Sequence, residues 1–62
     1  GKRMIVKVIY KNGEVKMEDL SVNDAAIRLK TECDVQAIEF PDNALNGLLE
    51  KKLAELLNCG FE

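Results

Sequence analysis

Side chains able to do covalent or acid–base chemistry are few in this chain, and they are scattered. None of the 62 residues is histidine, so no side chain that titrates near neutrality is on hand as a general base. Ser21 and Thr31 are the only hydroxyl nucleophiles of their type, and Ser21 stands where a helix cap is expected. Cys33 and Cys59 form no C-x-x-C pair, and without histidine a zinc site would have to combine them with carboxylates, an unusual ligand set. They read as two small, partly buried free thiols of a cytosolic protein; a disulfide would require the two helix ends that they mark to lie side by side. Glu14 and Glu18 could approach each other on a hairpin, yet each faces a lysine in the expected pairing and reads as a solvated salt-bridge partner. The glycines make no phosphate-binding pattern: Gly13 belongs to a turn, Gly47 to a helix and Gly60 to a helix stop, while Gly1 is terminal. No catalytic residue, metal ligand set or cofactor is therefore expected, and the chain reads as a non-enzyme.

The elements that would position any site begin with a β-hairpin. Met4 to Tyr10 is a β-rich run, Asn12-Gly13 follows, and Val15 to Glu18 continues it. A two-residue type I′ turn at Asn12-Gly13 predicts that Lys11 faces Glu14, Tyr10 faces Val15, Ile9 faces Lys16, Val8 faces Met17 and Lys7 faces Glu18. Under that register Met4, Val6, Val8, Tyr10, Val15 and Met17 line the core face. Ile5, Lys7, Ile9, Lys11, Glu14, Lys16 and Glu18 line the other.

Ser21 is placed to cap a first helix, with Asp24 in its first turn, where the helix dipole favours a negative charge. Val22, Ala25, Ala26, Leu29 and Cys33 recur along one face, and the helix is expected to end near Glu32. Asp34 to Phe40 reads as a third strand that Pro41 stops. A second helix, capped by Asp42 or Asn43, then carries Leu45, Leu48, Leu49, Leu53, Leu56 and Leu57 as an apolar stripe as far as Asn58. Gly47 inside it costs up to about 1 kcal/mol relative to alanine unless close packing requires it.

The expected fold is a two-layer α+β domain of order ββαβα. Its three-stranded sheet has order 2-1-3, with the most apolar strand central and both helices on one face. Residues 1–62 make a single domain whose core is thin, because a chain of this length buries only about 60% of its unfolded surface. Hydrophobic residues make up 47% and charged residues 32%, a balance too apolar for disorder, and the apolar runs are too short to span a bilayer. A cytoplasmic location is expected. Gly1 in place of an initiator methionine reads as a cleavage scar, with Met4 as a candidate natural start. The length and β-rich start resemble very small tautomerases, but the chain lacks their N-terminal proline.

Charge is lopsided within the net −2: residues 1–18 carry five cations and two anions, giving +3, and residues 19–62 carry four cations and nine anions, giving −5. Such asymmetry either steers a partner or holds the two halves together, and the second is commoner in a small domain. The helix-free sheet face is the functional lead, with Ile5, Lys7, Ile9, Lys11 and Lys16 as candidate interaction residues. A protein partner or self-association is expected there or at an exposed strand edge, with the isoleucines as anchors and the lysines tuning partner choice. Nucleic acid bound by the basic hairpin face is the rival, but bases need aromatic platforms. Tyr10 points to the other face, and Phe40 and Phe61 are remote.

Overall fold

A computed structural model describes residues 2–59. It has the expected order: β1 (Arg3–Tyr10), β2 (Val15–Ser21), α1 (Val22–Thr31), β3 (Val35–Glu39) and α2 (Asn43–Cys59). The sheet order is β2-β1-β3, and β1 runs antiparallel to both neighbours. The two outer strands are thus parallel to each other, as a helical crossover between them requires. The expected stop at Gly60 and the aromatic Phe61 lie outside the described residues.

The hairpin forms one residue out of the expected register. Ile9 pairs with Val15, Val8 with Lys16, Lys7 with Met17 and Val6 with Glu18. The cause is the turn. Tyr10 N–H donates to Glu14 O at 2.8 Å and Gly13 N–H donates to Tyr10 O at 2.9 Å, so three residues, Lys11, Asn12 and Gly13, form the loop. Among the described residues only Gly13 has positive φ, at 94°, whereas a type I′ turn would need Asn12 there too. Asn12 instead turns its Oδ1 to accept the Glu14 N–H at 2.9 Å. The extra loop residue is a glycine bulge, and it reverses which β2 side chains face the helices.

Val15 and Met17 are therefore not core residues, contrary to the sequence expectation. They are 53% and 61% exposed. Val6 and Val8 are fully buried as expected, and they pack with Leu20, Ala25, Ala26, Val35, Ile38, Phe40 and Leu49. Val8 opposite Ile38 joins β1 to β3, where a bulge between Ile9 and Tyr10 bends the end of the pairing.

Local chemistry accounts for the helix ends. Ser21 Oγ accepts the Asp24 N–H at 3.1 Å and caps α1, and Asp42 Oδ1 accepts the Ala44 N–H at 3.0 Å and caps α2. Glu32 closes α1 by donating its N–H to Arg28 O. Cys33 follows in the turn and is exposed, so it does not extend the buried face of α1. The leucine stripe of α2 is used unevenly: Leu49 is buried, Leu45, Leu53 and Leu56 are half-buried, and Leu48 and Leu57 are exposed. Gly47 has open space where a Cβ would sit, so no close approach calls for it.

Candidate functional site

The shifted register redraws the helix-free face. Side chains alternate along a strand, so Ile5, Lys7 and Ile9 of β1 share this face with their partners Asp19, Met17 and Val15 on β2, and with Glu39 and Ala37 on β3. Ile5 is 55% exposed and Ile9 half-buried. Four apolar side chains, Ile5, Ile9, Val15 and Met17, now stand where the sequence reading placed two. A shallow depression bounded by Ile5, Lys7, Met17, Glu39, Phe40 and Pro41 marks one end of the face.

The lysines part company. Lys7 lies on this face, between Met17 and Glu39. Lys11 sits in the turn. Lys16 pairs with Val8 and so takes the helix side, where its Nζ lies 5.4 Å from the Tyr10 ring centroid, within cation–π reach. The five candidate residues are thus divided: Ile5, Lys7 and Ile9 are together, and Lys11 and Lys16 are elsewhere. The signal that could have separated them was Gly13 alone carrying the left-handed turn residue, which is compatible with a three-residue loop as well as a two-residue one.

Glu18 moves to the helix side with Lys16, and there it meets α1. Arg28 Nη1 donates to Glu18 Oε1 at 2.8 Å, and Arg28 Nη2 reaches both Glu18 Oε2 and the Tyr10 hydroxyl at 3.2 Å. Arg28 Nε lies 2.6 Å from Glu32 Oε2, a close charge contact without a well-aligned hydrogen bond. The Arg28 guanidinium hydrogen-bonded to Glu18 holds that carboxyl below its ordinary range, outweighing its partial desolvation, and Tyr10 and Lys16 act in the same direction. In return Glu18 secures the charge on Arg28. Each charged member of the cluster faces another, so it forms a clasp between β2 and α1.

A second clasp joins the halves at the start of β1. Arg3 Nη1 lies 3.0 Å from Asp24 Oδ2, and Arg3 Nη2 donates to Asp19 O at 2.8 Å. Charge asymmetry along the chain is spent partly on these contacts between the basic hairpin and the acidic remainder. Among the described residues no three metal-ligating side chains converge, and no helix is long and apolar enough to cross a membrane.

The two sheet edges differ. On β2 the charged Lys16 and Glu18 point inward, a device that discourages another strand from adding. On β3 the inward positions are the buried Val35 and Ile38, and an open cleft of about 390 Å³ separates this strand from α2. Leu29, Ala37, Ile38, Leu49 and Leu53 provide its apolar lining, and the carboxylates Glu39 and Glu50 line it as well.

Compared with protein-family models, curated proteins and solved structures, the chain matches none.

Proposed function

We propose that this chain is a non-catalytic interaction module that pairs with a second copy of itself through the helix-free sheet face. The observation that supports this reading is the grouping of Ile5, Ile9, Val15 and Met17 on a face that neither helix covers. Scattered exposed apolar residues are ordinary, whereas a contiguous set on a bare sheet is a recurrent mark of association. A small core adds a motive, since domains of this size gain stability by assembling.

Charge favours a copy over an unrelated partner. Lys7 lies among Asp19 and Glu39, so the face carries both signs. A two-fold axis through it can bring Lys7 of one copy to a carboxylate of the other, as an isologous interface requires. Ile5, Ile9, Val15 and Met17 are the anchors under this reading, and Lys7 sets the orientation.

Light scattering across a concentration series tests it. The expected result is twice the chain mass for the wild type and the single-chain mass for Met17→Lys and Ile5→Lys, with unchanged circular dichroism. A wild type that stays monomeric at every concentration overturns self-pairing. Retention on an oligonucleotide column that falls steeply with salt would instead favour the basic-face alternative.

A further inference from the structure

We infer that the cleft between β3 and α2 is a strand-addition site for an extended peptide that alternates apolar and basic residues, pairing antiparallel with the open edge of β3. The backbone groups of β1 alternate between its two neighbouring strands. Tyr10 exchanges hydrogen bonds toward β2, and Lys11 N–H donates the other way, to Asp34 O at 2.9 Å. Backbone groups alternate along a strand, so Ile9 and Lys7 bond toward β3, and their partners Ala37 and Glu39 bond back. Ile38 and Phe40 then direct their N–H and C=O away from the sheet.

At Phe40 the outward pair is already engaged. Its N–H donates to Asn46 Oδ1 at 2.7 Å, and Asn46 Nδ2 donates to its carbonyl at 3.2 Å. The Asn46 carboxamide thus stands where the peptide group of a fourth strand would stand. Two residues earlier along the same edge, Ile38 presents the same pair of groups beside the cleft, and the fold there offers a groove instead of a side-chain amide.

The groove specifies what would fill it. A residue opposite Ile38 in an antiparallel pair shares its face and points between the strand and α2, onto Leu29, Leu49 and Leu53. Its neighbours point to the helix-free side, where Glu39 lies, and Glu50 of α2 also lines the cleft. Neither carboxylate forms an ion pair among the described residues, and Lys7 opposite Glu39 lies beyond ion-pair distance of it. Apolar residues alternating with lysine or arginine satisfy both sides. A second copy of this strand, with Ile38 opposite Ile38, would set Glu39 opposite Ala37 and bring it no cation.

The test is a capped peptide of alternating valine and lysine, about six residues long, followed by titration and by amide hydrogen exchange on the intact chain. Binding is expected to slow exchange at Ile38 N–H about tenfold while leaving Ala37 N–H unchanged. Methylating the valine backbone nitrogens, which would face β3, should weaken binding about tenfold or more, and methylating the lysine nitrogens should not. Replacing the lysines by glutamate should abolish binding to the wild type and restore it to the Glu39→Lys, Glu50→Lys double variant. Unchanged exchange at Ile38 at saturating peptide overturns the inference, as does equal loss from both methylated peptides. So does protection of Ile38 that depends on protein concentration with no peptide added.

Discussion

Arg28 on α1 donates to Glu18 on β2 at 2.8 Å, and this bond exists only because the hairpin register places Glu18 on the helix side of the sheet. An edge-strand carboxylate and a helical guanidinium, each partly shielded from water, tie the crossover to the strand that precedes it. Tyr10 from the central strand completes the grip.

That clasp predicts a pH dependence. Glu18 titrates below its ordinary value of 4.5 in the folded protein, chiefly through its hydrogen bond from Arg28. A carboxyl with a depressed folded pKa stabilises the fold above its unfolded value, and this contribution is lost as pH falls through the folded pKa. Denaturant unfolding below pH 4.5 should therefore show the wild type losing stability more steeply than Glu18→Gln. At neutral pH Arg28→Ala should cost about 1–2 kcal/mol, because it leaves Glu18 partly buried without its cation.

The turn predicts an asymmetry between its two signature residues. Gly13 occupies a left-handed conformation with φ of 94°, so Gly13→Ala should cost about 1–2 kcal/mol even though space for a Cβ is open. Asn12 acts through its side-chain oxygen, and Asn12→Asp preserves that acceptor. Thermal melts should rank Gly13→Ala well below Asn12→Asp; equal losses would point to a two-residue turn.

Register can be read from lysine scanning. Val15→Lys and Met17→Lys should shift stability by within about 0.5 kcal/mol, as exposed substitutions do, measured at concentrations where the chain is monomeric. Val6→Lys buries an unpaired charge at a fully enclosed position and should abolish the cooperative unfolding transition. A core-like response at Met17 in the monomer would restore the two-residue turn.

Asn46 predicts a coupled effect at the edge of the sheet. Asn46→Ala removes both hydrogen bonds to Phe40 and should cost about 1–3 kcal/mol. It also lengthens the open edge of β3, so turbidity on heating should rise relative to the wild type.

Much of the fold was legible along the chain because its signals are local. Ser21 and Asp42 cap the helices they precede, and Pro41 lies just beyond β3. Alternation in β1 marked Val6 and Val8 as core, and they are fully buried. What misled was β2, where Val15 and Met17 look like an inward pair and Lys16 and Glu18 like an outward one. Both patterns alternate with period two, so only the number of residues in the turn distinguishes them.

The sequence by itself determined the ββαβα order, the central place of β1 and the helix boundaries, because capping, turn formation and alternation act between near neighbours. Tertiary structure decided between the two turns open to Asn12-Gly13, and with them the faces of β2, where Arg28 of α1 meets a half-buried Glu18 on the helix side. It also decided that α2 stands off from β3 and leaves a cleft there. Leucines spaced along a helix specify an apolar stripe, but which of them find a partner depends on how two helices share one small sheet.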